Sequence, residues 1–485
     1  MKILLASSEA VPYAKTGGLA DMVGALAKFL ARAGHEVGLA MPLYRETREK
    51  FPDIRRFDWK FDLEFGSGRI GGGMSVLEPQ ERLTIYFIEQ PELFERSGIY
   101  QERGVDYPDN AERFIYFSKC VTHLARYLPW KADLVHAHDW QVALAPVFIA
   151  DQKAREGWTD APKTCLTIHN LAYQGNFPAA KFGLTNLPQS FFQTEGLEFY
   201  KSMNCLKGGI LHADIITTVS PRYAREITTE LYGCGLDGAL RKRQNVLWGI
   251  LNGVDYDEWK TAGNPFLGTS YSAEDLRGKQ ADKAALQAEL GLAKEPDTPL
   301  FGTISRLAEQ KGVNLQLAAL EEMLAAKMQF VLLGSGNREY ERGYRKLAER
   351  YAGKCVATIG FDTGLSHRIE AGCDFYLMPS HFEPCGLNQM YSLRYGTVPI
   401  VRVTGGLDDS VTDASEDAEL ANGIKFAEYS VRALSKAIRK ALVLYTDKPL
   451  LEQYRRNGMA RDFSWENTAR EYAGLYTALK NNLII

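Results

Sequence analysis

The residues best suited to chemistry fall in a few short segments. Thr16-Gly17-Gly18-Leu19-Ala20-Asp21-Met22-Val23 and Thr404-Gly405-Gly406-Leu407-Asp408-Asp409-Ser410-Val411 share the pattern T-G-G-L-x-D-x-V. Each copy follows an apolar run and opens a helix-like one. Paired glycines let a backbone approach a ligand closely, and the unpaired N–H groups and positive dipole end of a helix start favour an anion. A plain strand-to-helix turn would use the same glycines. The recurrence of the pattern, with Lys15 adjoining the first copy, favours two anion-cradling turns. Neither copy is G-x-G-x-x-G, and G-x-x-x-x-G-K-[ST] does not occur, which disfavours a Walker-type ATPase.

Thr303 to Gly312 places Arg306 and Lys311 five residues apart in a turn after an apolar run. Both can reach one diphosphate, Arg through bidentate hydrogen bonds and Lys as a mobile point charge; a solvated charged loop is the plain alternative. Gly334 and Gly336, ending the next apolar run, offer another close backbone approach. In His381-Phe382-Glu383-Pro384-Cys385-Gly386-Leu387, Glu383 follows the apolar Phe375–Met378. A carboxylate there can accept hydrogen bonds from sugar hydroxyls or balance developing positive charge, unless it is a capping or salt-bridged Glu. Cys385 reads as a buried filler. In Val135-His136-Ala137-His138-Asp139-Trp140, the two His residues share one side of a strand, which invites a metal, but no third strong ligand is evident and none is expected. Asp139 and Trp140 suit a sugar, as hydroxyl acceptor and ring platform, and His169-Asn170 belongs to the same rim. Core or capping histidines remain the alternative.

The elements that must carry these loops are short apolar runs alternating with longer amphipathic ones. Strands are predicted at 2–7, 36–41, 84–89, 133–136, 164–168 and 214–219, then at 300–304, 329–333, 355–359, 375–378 and 399–403. Most are continuous Val/Ile/Leu runs, which suits parallel strands covered on both faces. Leu19, Met22, Val23, Leu26, Phe29 and Leu30 predict a helix stopped by Gly34. The rhythm lapses between Trp248 and Lys294 and restarts at Pro299, so a boundary near 245–255 separates two doubly wound α/β domains. Which domain owns 258–298 is left open. In such sheets ligands sit outside the carboxyl ends of the strands.

Composition narrows the function further. With 45% hydrophobic and 24% charged residues the 485-residue chain is ordinary globular protein. Lys+Arg 57 against Asp+Glu 60 leaves a net charge of -3, against a dedicated nucleic-acid binder. Seven scattered cysteines without a C-x-x-C pair support neither a disulfide framework nor a structural zinc, and fit a reducing compartment. No apolar run approaches the ~20 residues of a membrane helix, and the N-terminal run is too short for a signal peptide. A soluble, cytoplasmic protein is expected, with no membrane or nucleic-acid partner; oligomeric state carries no signal.

Taken together, K-T-G-G-L-A-D, H-A-H-D-W, S-R-L-x-x-Q-K-G, F-E-P-C-G-L and the second T-G-G-L closely resemble the bacterial glycogen synthases and plant starch synthases. The match runs from Lys15 to Leu407. The resemblance implies a retaining GT-B glycosyltransferase, with two Rossmann-like domains about a deep cleft. It would move glucose from ADP-glucose to the non-reducing end of an α-1,4-glucan such as glycogen, releasing ADP, without metal or cofactor. Residues 1–248 would form the acceptor-side domain, 249–457 the nucleotide-sugar domain, and 458–485 a helix returning to the first. Lys15, Arg306 and Lys311 would neutralise the diphosphate, helped by the backbone of Gly17, Gly18 and the turn at Thr404, Gly405, Gly406 and Leu407. Glu383, with Gly386 and Leu387 beside it, would hold the donor glucose. Asp139, His169 and Asn252 would line the glucose and acceptor side, and Phe361 would stack on adenine. Families with an E-x7-E signature carry a second Glu where this chain has Tyr391, which leaves ribose recognition unassigned. UDP-glucose remains an alternative donor. A nicotinamide-dependent oxidoreductase would need G-x-G-x-x-G after the first strand instead of K-T-G-G-L, and a non-catalytic glucan binder would not need Arg306, Lys311 and Glu383 together.

Overall fold

The apolar runs form parallel strands, and the loops they release carry the charged segments. A computed structural model describes residues 1–483 in two units: Met1–Val219 with Ala224–Gly253 and the chain from Trp465, and Ser220–Tyr223 with Val254–Ser464. The first unit holds nine strands of one sheet: β1 (Lys2–Ala6), β2 (Glu36–Pro42), β3 (Arg55–Phe65), β4 (Gly68–Gln80), β5 (Leu83–Glu89), β6 (Leu134–His138), β7 (Lys163–Ile168), β8 (Ile215–Thr218) and β9 (Leu247–Gly249). Their order is β9-β8-β7-β6-β1-β2-β5-β4-β3. The run from β9 to β5 is parallel, with Ile3 of β1 opposite both Val37 and Leu134. Four of the five residues of β1 are buried, as both-face coverage requires. The helix Gly18–Arg32 buries Leu19, Met22, Val23, Leu26, Phe29 and Leu30, the face read from the spacing.

The hairpin β3–β4 has no counterpart among the predicted strands. It is antiparallel and half solvated, so its charges and glycines read as loop. Gly72 has a packing reason: a Cβ there would lie 2.0 Å from the Tyr116 hydroxyl.

The second unit has a six-stranded parallel sheet, β10 (Leu300–Ile304), β11 (Gln329–Gly334), β12 (Cys355–Ile359), β13 (Phe375–Met378), β14 (Val398–Arg402) and β15 (Ile424–Phe426), in the order β12-β11-β10-β13-β14-β15. Phe301, Phe330, Leu332, Phe375, Leu377 and Ile400 meet Leu320, Leu434 and Ile438 in its core. Segment 258–298 belongs here. Its helix Arg277–Glu289 sends Lys283 Nζ to Asp374 Oδ2 at 2.7 Å, and Arg455 reaches the other oxygen at 2.6 Å. Burial pushes the Asp374 carboxyl up, but these two cations and the Leu300 N–H outweigh it and hold the group below its usual range.

The unit limits differ from the expected 248/249 and 457/458 boundaries. Residues 249–253 stay with the first unit, where Ile250 N–H donates to Thr218 O at 2.9 Å and Gly253 lies so close to Trp465 that a Cβ would fall 2.7 Å from its Cα. Residues 458–464 stay with the second: Met459 ends the helix Lys448–Met459, and Val254 N–H donates to Phe463 O at 2.7 Å. Ser220–Tyr223 joins the second unit through Ser220 Oγ on Pro384 O, 2.8 Å, and Arg222 N–H on Asp409, 2.7 Å. The helix Trp465–Lys480 lies in the first unit, burying Trp465, Tyr472, Tyr476 and Leu479; of the expected tail, Ile484 and Ile485 fall outside the described residues. Among the described residues no helix is long and apolar enough to cross a membrane.

Replacing Asp374 by Asn strips the buried charge from Lys283 and Arg455. It is expected to destabilise the second unit by ~3–5 kcal/mol, the usual cost of orphaning a buried ionic partner. Chemical denaturation followed by tryptophan fluorescence checks this, and an unchanged transition would refute it.

Candidate active site

In the parallel part of each sheet the strand order reverses once. In the first, β1 has β2 on one side and β6 on the other; in the second, β10 lies between β11 and β13. Loops leaving such a pair of strands diverge, and the gap between them is where open α/β sheets bind ligands. The loops at these two points are those carrying Lys15 and Asp139 in the first unit, and Arg306, Lys311 and Glu383 in the second.

In the first unit, Lys15 Nζ meets Asp21 Oδ1 at 2.6 Å, with the Lys side chain 52% exposed. Gly17 caps the Gly18–Arg32 helix without a side chain, which leaves the first N–H groups uncapped. Gly17 is extended, and neither Gly17 nor Gly18 has any atom within 4 Å of where a Cβ would stand. Neither backbone conformation nor packing within the chain demands these glycines. The Gly17 N–H points inward, to Glu9 Oε2 at 3.3 Å. Thr16 gives Glu9 both its N–H and its hydroxyl, the latter at 2.7 Å, and the Tyr100 hydroxyl adds 2.6 Å. Burial, with Glu9 beside it, pushes the Tyr100 hydroxyl well up, so it remains a donor.

The β6 loop sets Asp139 in a left-handed conformation, φ 60°, which Asp tolerates better than most residues. Its Oδ1 accepts the His169 N–H at 2.7 Å. Burial raises its carboxyl to about 7, against the pull of the His169 and Asn170 N–H groups and with a further push from Glu9. His169 Nε2 and His138 Nδ1 share a hydrogen bond at 3.1 Å. Burial holds His169 down to about 3 and His138 well below its usual range, so both rings are neutral. His136 is core: its nitrogens bond Thr167 Oγ1 at 2.6 Å and the Tyr476 hydroxyl at 2.7 Å. Trp140 is wedged edge-on between Phe114 and Phe177. Two buried atoms, His138 Nε2 and Asn252 Oδ1, lack a hydrogen-bond partner among the described residues. In that same set, no group of three or more His, Cys, Asp or Glu is arranged to hold a metal ion.

In the second unit, Gly312 (φ 68°) closes the 3-10 turn Glu309–Lys311, and a Cβ on it would strike Pro379 O at 2.0 Å. That close approach brings Lys311 Nζ to 2.5 Å from Glu383 Oε2, which also accepts Ser380 Oγ at 3.0 Å. The pair read separately as phosphate and sugar ligands is thus one ion pair, its carboxylate buried and its ammonium partly exposed. The Arg306 side chain is exposed and has no partner among the described residues. Its loop is pinned by Leu307 N–H to Ser335 O and Asn337 N–H to Leu307 O, both 2.8 Å. The close approach permitted by Gly334 and Gly336 is to this same loop, since Cβ atoms there would strike Ser305 O and Leu307 O. Gly405 and Gly406 are likewise accounted for by packing, their Cβ positions lying 2.0 Å from Glu383 O and 2.1 Å from Cys385 O. The Gly406 N–H donates to Glu383 O and Pro384 O, and Leu407 N–H to Thr404 O. Thr404 is fully buried at the start of that turn. Gly386 (φ 72°) and Leu387 lead into the Asn388–Arg394 helix, whose Asn388 Nδ2 donates to Ile304 O at 2.8 Å and to the Tyr376 hydroxyl at 2.5 Å, tying it to the end of β10. Phe361 stands 86% exposed on the loop after β12. Tyr391, at the position where an E-x7-E signature would put its second Glu, stacks on Trp259 with ring centroids 3.6 Å apart.

Sequence reasoning passed over Glu9, Tyr100, Ser380, Tyr376 and Asn388. Only Glu9 left a usable signal: a lone carboxylate just past β1, where a strand's carboxyl end meets the loop.

Comparison with known proteins places this geometry. Residues 2–242 match the model of the starch synthase catalytic domain, and residues 288–461 that of glycosyl transferases group 1. Glycogen synthases of Opitutus terrae (45% identical, 98% of this chain and 99% of the relative) and Myxococcus xanthus (46%, 98% and 99%) align over nearly their full lengths. The chain belongs to the glycogen and starch synthase family. It is therefore a glycosyltransferase of the two-domain GT-B fold. The solved catalytic domain of starch synthase IV from Arabidopsis thaliana, bound to ADP and acarbose, is 34% identical with a TM-score of 0.87 over 99% of both chains. Sucrose-phosphate synthase from Thermosynechococcus elongatus, 18% identical with a TM-score of 0.61 over 99% of this chain and 98% of that one, shares the fold.

Asp139 has a carboxyl that loses its proton near pH 7. If transfer needs the carboxylate, kcat rises through pH 7 with an inflection there. Asp139→Asn is expected to lower activity and remove that limb from the pH–rate profile, and a profile unchanged in the variant would take Asp139 out of the reaction.

Proposed function

We propose that this chain transfers glucose from ADP-glucose to the non-reducing end of an α-1,4-glucan in the cytoplasm, with retention of configuration and release of ADP. What supports this reading is that the loops leaving the neighbouring strands β10 and β13, where the second sheet reverses its order, carry the Lys311–Glu383 pair and Arg306, whose side chain has no partner among the described residues. The ADP in the Arabidopsis relative and its 34% identity favour adenine as the donor's base, with the exposed Phe361 ring as its stacking surface.

Breaking the bond between glucose C1 and the phosphate oxygen builds positive charge on the sugar and negative charge on the departing diphosphate. Arg306 offers a fork of donors to that diphosphate, and Lys311 a point charge. A diphosphate carries more charge than Glu383 and competes for the Lys311 ammonium. Glu383, relieved of its partner, then accepts hydrogen bonds from the donor's glucose hydroxyls. Lys15, Gly17 and Gly18 add a cation and open helix N–H groups for the same leaving group. Asp139, His169 and Asn252 serve the glucose and acceptor side, the neutral imidazole as a hydrogen-bond partner. With no side chain standing out as nucleophile, attack by the acceptor on the face the diphosphate leaves, with the phosphate taking the proton, gives retention.

Incubation with ADP-glucose or UDP-glucose plus glycogen, following nucleoside diphosphate release, tests the reading. ADP release with glucan growth is expected; release from UDP-glucose alone would overturn the donor, and none from either would overturn the function. Lys311→Ala is expected to lower kcat by ~10²–10³ while donor KM shifts far less, because the charge it meets grows mainly in the transition state. A KM effect alone would remove Lys311 from the catalytic set.

A further inference from the structure

Four donors of the first unit converge on one buried carboxylate. Glu9 is 3% exposed, and no Lys or Arg pairs with it among the described residues. Its Oε2 accepts the N–H groups of Thr16 and Gly17, and its Oε1 the hydroxyls of Thr16 and Tyr100. Burying a carboxylate away from any cation is expensive unless hydrogen bonds replace its water. Only an acceptor with two equivalent oxygens can take all four donors at once.

The loop before this turn is held by Ala14 N–H on Ala10 O and Thr47 Oγ1 on Tyr13 O, each 3.0 Å, but among the described residues no other side chain bonds the turn itself. Gly17 and Gly18 touch no atom with a would-be Cβ, the helix start has no side-chain cap, and the Lys15–Asp21 pair is exposed and correspondingly weak. Tyr100, by contrast, is anchored: its hydroxyl shares a 2.6 Å bond with Ser8 Oγ, and its carbonyl accepts Asn110 Nδ2 at 3.0 Å. We infer that Glu9 is a positioning residue for glucosyl transfer, a fixed internal anion that ties the Thr16–Gly17 turn to Tyr100 and so holds Lys15 and the open N–H groups of the Gly18–Arg32 helix ready for the diphosphate. It rests on the reading of the chain as a glucosyltransferase in which Lys15 meets the leaving group. Glu9 itself touches no substrate. It works through the loop, and because like charges repel, its buried position also keeps its own charge behind the turn's N–H groups.

Glu9→Gln tests this, since the amide keeps the shape and the two hydroxyls can rotate to accept from its NH2, while the charge and one acceptor are lost. The variant is expected to keep a thermal midpoint close to the parent's and an unchanged KM for glycogen, yet to lose about tenfold in kcat, as sub-ångström loosening of a catalytic group does. Hydrogen exchange of the peptide spanning residues 12–20 should quicken in the full chain. In a Lys15→Ala background the same substitution should cost at most about twofold, because the two residues act through one loop. Parental kcat and exchange in Glu9→Gln, or equal losses in both backgrounds, would overturn the inference. A parent chain inactive with both sugar nucleotides would instead overturn the glucosyl reading, and the exchange measurement would still decide whether Glu9 holds the loop.

Discussion

A parallel sheet sends every strand out at the same edge, and only where its winding reverses do two neighbouring loops part. That geometric constraint organises both units. The reversal between β1 and β6 frees the loops bearing Lys15 and Asp139, and the one between β10 and β13 frees those bearing Arg306, Lys311 and Glu383. The strands beneath are buried Ile, Leu, Val and Phe, so these polar loops stand on a close-packed floor that does not yield. Each loop is then secured locally, by Glu9 and Tyr100 in one unit and by Gly312, Tyr376 and Asn388 in the other.

The two T-G-G-L turns show how identical letters can answer different forces. At Gly405 and Gly406 a side chain would collide with Glu383 O or Cys385 O, so glycine is demanded by the chain's own packing. At Gly17 and Gly18 the space is open, and no atom of the described chain stands where a side chain would. From the sequence the pair looked like two equivalent anion cradles. The structure shows one turn packed under the Glu383 loop and one exposed at a helix start.

The same division marks what was legible in the sequence. The buried parallel strands announced themselves as uninterrupted apolar runs, and the strand ends located Asp139, Arg306 and Glu383. The β3–β4 hairpin did not, because an antiparallel ribbon wet on one face reads as charges and glycines. The Lys311–Glu383 pair was also invisible: its partners lie 72 positions apart, and the approach of Gly312 to Pro379, with His381 N–H on Gln310 O, joins their loops. Asp139 and His169 could be named but not their charge states, since burial decides those and spacing does not encode it.

The helix Trp465–Lys480 has a consequence for biogenesis. It belongs to the first unit, where Tyr476 bonds His136 and Trp465 stacks against Phe29, yet it leaves the ribosome only after the whole of 254–464. Domains generally fold as units while synthesis proceeds. Here the unit that starts first must wait, its groove for that helix uncovered, while the later one closes around its own sheet. The nascent chain therefore matures in the reverse of the order in which its units begin.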